Sequence, residues 1–157
     1  MGKTKIAIIH HRSQHTPIQI LNQSPLGMLG AFMTENAMVT ENFIGDWDIE
    51  QALRADLIII TGAMESVYNE EIGWVSKEAR LIEQALLKDV PLVGICFGAQ
   101  HIAKVLGGHV YKLPKPILQL APVKMTPEGI DHPIFYGVSD GFRAISLHQD
   151  HFSLPAS

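Results

Sequence analysis

Three short runs, Lys5–His10, Asp56–Thr61 and Val90–Ile95, are aliphatic without alternation, rich in β-branched side chains and bounded by breakers. A strand with one face in water alternates apolar and polar residues, whereas a strand buried on both faces does not. These runs are therefore read as doubly buried strands, with a weaker one over Ala37–Phe43. Helical stretches separate them. Ser24-Pro25 opens one over Leu26–Asn36, with proline at the first helical position. Trp74–Lys88 is the strongest: Trp74, Ala79, Ile82, Ala85 and Leu86 fall on one side, and Lys77, Glu78, Glu83 and Gln84 largely on the other. A third, Gly98–Leu106, stops at Gly107-Gly108, where a left-handed cap is easy. Strands alternating with helices predict an α/β fold with a mainly parallel central sheet covered on both faces. Val90–Ile95, apolar throughout, is expected as a central strand. After Gly108, prolines at 114, 116, 122, 127 and 133 interrupt short extended pieces, and only Phe142–Leu147 reads as a further strand.

The chain of 157 residues suits one domain, residues 1–157, with a real core and no room for a second. Hydrophobic residues make up 46% and charged residues 18%, a globular balance. A net charge of -4 without a basic cluster argues against nucleic acid as a partner. One cysteine forms no internal disulfide, and the apolar stretch Ile6–Ile9 is too short to cross a membrane. A soluble cytoplasmic protein with no membrane partner is expected.

In an open parallel sheet, function sits beyond the carboxyl ends of the strands. Val90–Ile95 runs into Gly94-Ile95-Cys96-Phe97-Gly98-Ala99-Gln100, and a helix is expected to start at once. A nucleophile between two glycines on a strand-to-helix turn has the elbow arrangement of hydrolases, in which close strand–helix packing thrusts the side chain into the crevice. The N–H groups and positive potential of the helix N-terminus favour the thiolate, and the Phe97 N–H is placed to be half of an oxyanion hole. Cys96 is the candidate nucleophile.

The segment from Gly94 to Gln100 resembles the G-x-C-x-G-x-Q nucleophile motif of class I glutamine amidotransferases, and Leu106-Gly107-Gly108 follows as in that family. Thr61-Gly62-Ala63-Met64-Glu65-Ser66-Val67-Tyr68 is similar to the family's Gly-Gly-Pro loop after the third strand. His148-Gln149-Asp150 with Leu154-Pro155 resembles the His-x-Asp…Leu-Pro segment of the subgroup near GMP synthase. The resemblance implies a flavodoxin-like three-layer sandwich. It also implies a glutaminase reaction, in which Cys96 attacks the side-chain amide of glutamine, forms a γ-glutamyl thioester and releases ammonia for an acceptor. Phe97, Ala63 and Gly62 would supply the oxyanion hole, and Gln100 and Gly98 would hold the substrate. No cofactor is implied. The expected partners are glutamine, an acceptor or synthetase subunit, and, in a homodimer, a second copy.

The family's His-Pro-Glu-like motif, which completes its triad near the domain's C-terminal end, has no counterpart here. The C-terminal part is accordingly expected to be missing or atypical, with an apolar patch or sheet edge left for a dimer to cover. His148 and Asp150 are open to three readings: general base and orienter, pocket-shaping residues, or a loop histidine and its neighbour without a task. The loop carries Ala63 and Met64 where the family has glycine and proline, and an alanine resists positive φ. His10, His11 and His15 sit where the first strand exits, and His148, Asp150 and His151 lie close in sequence. No cysteine or carboxylate cluster accompanies His10, His11 and His15, so ordinary loop histidines are expected there, and no metal is expected at either group. Two alternatives to an active amidotransferase remain in view: a catalytically impaired amidotransferase-like binding protein, and a cysteine hydrolase resembling the DJ-1/PfpI group.

Overall fold

The computed structural model describes residues 2–11, 33, 35–44 and 47–154. The expected Leu26–Asn36 helix falls mostly, and His15 wholly, outside these residues. The first strand, β1 (Lys5–His10), pairs in parallel with β2 (Met38–Phe43) on one side and β3 (Leu57–Ile60) on the other. The fourth strand, β4 (Leu92–Gly94), pairs in parallel with β3, giving the order β2-β1-β3-β4. The sheet is thus parallel as expected, but β4 is the outermost described strand rather than a central one.

Both faces of this sheet are covered, which explains the absence of alternation. Ala7, Ile9, Ile58 and Ile60 point to one side, into a cluster with Trp47, Leu81, Ile82 and Ala85. Their neighbours Ile6, Ile8 and Ile59 point to the other, against Met33 and Ala37. Each fully buried isoleucine stabilises the fold by about 2 kcal/mol relative to leaving it in water.

Three helices lie between the strands. A single turn, α1 (Ile49–Ala52), is capped by the Asp48 carboxylate, which accepts from the Glu50 N–H at 2.8 Å. The long α2 (Gly73–Leu87) buries Val75, Glu78, Leu81, Ile82 and Ala85. Its buried face is therefore rotated from the expected one: Glu78 is fully buried and Leu86 is 39% exposed. The third, α3 (Phe97–Val105), ends in a Schellman motif at Gly107, whose φ is 92°. There the Gly108 N–H donates to Ala103 O at 2.8 Å and the Gly107 N–H to Lys104 O at 3.0 Å. Among the described residues no helix is long and apolar enough to cross a membrane.

The chain divides into two compact units, one of Met1–Val110 with Phe152–Ser157 and one of Tyr111–His151. Most of the second is formed by two long strands, β5 (Val110–Val123) and β6 (Phe142–Phe152), which pair with each other. The expected short pieces are in fact one 14-residue strand that includes Pro114, Pro116 and Pro122. A strand with one partner tolerates proline because half of its N–H groups are not needed for pairing. Between β5 and β6 lie α4 (Pro127–Ile130), capped by Thr126, and a 3₁₀ turn at Pro133–Phe135.

The end of α2 yields a test of the backbone account. Asp89 follows the helix with φ 53°, while the Val90 N–H donates to Ala85 O at 2.8 Å and the Asp89 N–H to Leu86 O at 3.3 Å. This is the left-handed position of a Schellman cap, which glycine occupies without the Cβ penalty. Asp89→Gly should raise stability by about 1 kcal/mol, read as a higher denaturation midpoint at unchanged slope.

Candidate functional site

Two residues, Ile95 and Cys96, join β4 to α3. The Ile95 N–H still continues the sheet, donating to Ile60 O at 2.9 Å, and Phe97 already opens the helix. Cys96 between them adopts φ 54° and ψ -111°. A non-glycine residue in that region holds strain of about 1–3 kcal/mol, which only surrounding packing can maintain. Gly94 and Gly98 provide that packing. A Cβ on Gly94 would lie 2.4 Å from the Ala99 nitrogen, and one on Gly98 would lie 2.3 Å from the Ile60 carbonyl oxygen. Without side chains, the two glycines let α3 sit directly against β4 and β3, and Cys96 is left exposed at the turn. Gln100 is buried one turn into the helix, its N–H donating to Cys96 O at 3.1 Å.

The loop after β3 runs beside the cysteine. Thr61 ties its base to β1, the backbone N–H and the hydroxyl both donating to Ile9 O, at 3.1 and 2.9 Å. A Cβ on Gly62 would lie 3.4 Å from Cys96 Cβ and 4.0 Å from Sγ. Neither Gly62 nor Ala63 has positive φ, so alanine stands at this position without backbone strain. Among the described residues no acceptor takes the N–H of Ala63 or of Phe97.

Behind the loop lies an unexpected buried cluster. Glu78 is fully buried, its Oε2 2.5 Å from His11 Nε2 and its Oε1 2.6 Å from His101 Nδ1. Both imidazoles are buried too. The other nitrogen of His11, Nδ1, lies 3.3 Å from Gly62 O. The His11 ring packs between Trp74 and Phe97, with centroids at 4.7 and 4.9 Å, and Phe97 also meets His101 at 5.4 Å. Burial pushes the Glu78 carboxyl up, but the hydrogen bonds and charge of His101 and His11 outweigh it and hold the group below its ordinary 4.5. His10 is thus the last residue of β1 rather than a loop histidine, and His11 follows it in a bend, with both side chains buried. The signal available in the sequence was Glu78 itself, which falls on the apolar stripe Val75–Glu78–Ile82–Ala85.

Of the residues singled out in the sequence, Gly62, Ala63, Cys96, Phe97, Gly98 and Gln100 all belong to the first unit. His148 and Asp150 belong to the second. They occupy the same face of β6, two residues apart and half-buried, with His148 Nδ1 3.2 Å from Ser146 Oγ and the His148 ring 5.9 Å from that of His151. They therefore lie in a strand rather than a loop.

Residues 31–156 match the profile of the family described as glutamine amidotransferase class-I. The chain belongs to that family. Among curated members, it is 28% identical over 155 residues to the A subunit of the glutamine-hydrolyzing GMP synthase of Sulfolobus acidocaldarius, covering 98% of this chain and 72% of that one. It is 30% identical over 151 residues to the corresponding protein of Sulfurisphaera tokodaii, covering 96% and 71%. The crystal structure of a glutamine amidotransferase from Thermotoga maritima superposes with a TM-score of 0.78 at 27% identity. That match covers 99% of this chain and 64% of the Thermotoga protein, so the chain spans just under two thirds of that length.

Within this amidotransferase fold, Glu78 makes stability depend on acid in a defined direction. A carboxyl held below its ordinary value contributes stability that is complete above that value and is lost as pH falls through the lower, folded one. Denaturation midpoints should therefore drop as pH falls below about 4.5, and Glu78→Gln should remove part of that dependence. At neutral pH, Glu78→Ala should cost about 3–5 kcal/mol, because it breaks a buried ion pair and opens a cavity.

Proposed function

We propose that this chain hydrolyses the side-chain amide of glutamine at Cys96 and passes the ammonia to an acceptor on a separate synthetase subunit. The observation that carries the reading is the exposed Cys96, held at positive φ on a glycine-packed elbow with the Gly62 loop against it. The cysteine sulfur attacks the amide carbon, and the carbonyl oxygen takes up negative charge. The Phe97 and Ala63 N–H groups, which have no acceptor among the described residues, receive that oxygen. Collapse breaks the C–N bond, a proton goes to the departing nitrogen, and ammonia leaves a γ-glutamyl thioester. Water then attacks the thioester, releasing glutamate and restoring the thiol. Gln100 and Gly98 define the wall of the glutamine pocket nearest the nucleophile.

The acceptor subunit is carried over from the relatives, which are themselves named as subunits of GMP synthases. A homodimer is the other assembly this reading allows, and light scattering at micromolar concentration distinguishes it. The same reading places the protein in the cytoplasm.

The test is ammonia release from glutamine by the purified protein and by Cys96→Ala. Turnover should fall to background in the variant, and asparagine should be a poor substrate. Retention of the unaltered rate by Cys96→Ala would remove the cysteine from the mechanism. His148→Ala is the informative companion. A general base contributes about 10²–10⁴ in rate, so a loss of that size assigns the proton to His148, and a loss below tenfold assigns it a lesser role.

A further inference from the structure

The buried His11–Glu78–His101 cluster is unused by the chemistry just described, yet it touches both halves of the oxyanion site. Hydrogen-bond inventory fixes the direction of its contacts. A carboxylate oxygen and a backbone carbonyl oxygen only accept, so each His11 nitrogen that meets one brings a proton. Nε2–H donates to Glu78 and Nδ1–H donates to Gly62 O. Glu78 is aligned in turn by His101 Nδ1–H, from the helix that begins at Phe97.

The consequence runs through the peptide bond. The described residues contain no cis peptide, and in a trans peptide the C=O and N–H point in opposite directions. Drawing the Gly62 carbonyl toward His11 therefore turns the Ala63 N–H away from His11, in a loop whose Gly62 packs against Cys96.

We propose that His11, held by Glu78, is a positioning residue for glutamine hydrolysis, fixing the Gly62–Ala63 peptide so that the Ala63 N–H faces the developing oxyanion. This inference rests on the glutaminase reading above and names a part of its machinery that sits behind the site. His11 and Glu78 act through the loop backbone, so their effect is confined to steps that build negative charge on the amide oxygen.

Two amide substitutions separate the two contacts of one ring. The Asn side-chain nitrogen overlays imidazole Nδ1, and the Gln side-chain nitrogen overlays Nε2. His11→Gln keeps the donor to Glu78 and loses the donor to Gly62, and His11→Asn does the reverse. Removing an oxyanion donor outright costs about 10²–10³ in kcat, and a misdirected one should cost about 10–10². His11→Gln should therefore lower kcat by about 10–10² with KM nearly unchanged, and His11→Asn should recover most of that loss. Alkylation of Cys96 by iodoacetamide, which builds no oxyanion, should proceed at the unaltered rate in both. If either fails to fold, the double variant His11→Phe with Glu78→Gln keeps a ring against Trp74 and Phe97 and leaves no bare carboxylate, and it should show the same selective loss. Unchanged kcat in His11→Gln, equal losses in the two amide variants, or an alkylation rate falling in parallel with kcat would overturn the inference. Absence of Cys96-dependent turnover in the unaltered protein would instead overturn the glutaminase reading, and this inference with it.

Discussion

At Gly98 and Gly94 a helix and a strand meet with no side chain between them. Gly98 packs on the carbonyl of Ile60, where a Cβ would lie 2.3 Å from the oxygen, and Gly94 packs in the same way on Ala99. That contact sets how near α3 comes to the sheet, and so where Ile95 and Cys96, which join β4 to α3, must go. Cys96 is forced to positive φ because the strand ends and the helix begins on either side of it. The strain is balanced by the apolar burial of the sheet: Ile8, Ile9, Ile58 and Ile60 are essentially inaccessible, each contributing about 2 kcal/mol. The placement of the proposed nucleophile is a property of the packing as much as of the sulfur.

A second constraint is electrostatic. A buried carboxylate with no partner costs several kcal/mol, so Glu78 is tolerable only because two imidazoles meet it. Those imidazoles come from the end of β1 and from α3, and His11 reaches on to the loop after β3. One side chain on α2 thereby ties together three segments that surround the cysteine. Such a network adds little net stability compared with an apolar core of the same volume, but it fixes orientation, which apolar packing does less well.

The parallel sheet is legible in the sequence because burial on both faces suppresses alternation, and the first apolar run coincides with β1 at its observed limits, Lys5–His10. The elbow is legible because close strand–helix packing demands small residues on both sides of the turn, and Gly94 and Gly98 stand there around the cysteine. Strand order is not legible, since β4 is as aliphatic as a central strand although it is outermost among those described. The face of α2 differs from expectation by about one residue because a charged side chain normally marks solvent, and that rule turns the helix to put Glu78 outside. His11 escapes for the same reason, as its partners lie 51 and 67 residues away and no local pattern announces them. The long β5 is obscured by its prolines, which forbid a central strand but not one with a single partner.

In the proposed reaction Cys96 Sγ is the atom that takes the glutamyl group. Mixing the protein with glutamine, quenching in acid within a turnover and measuring the intact mass decides this most directly. The prediction is a population heavier by one γ-glutamyl group, mapped by proteolysis to the peptide containing Cys96 and lost on treatment with hydroxylamine. Glutamine consumed with no adduct on Cys96 at any quench time, or an adduct on another residue, would contradict it.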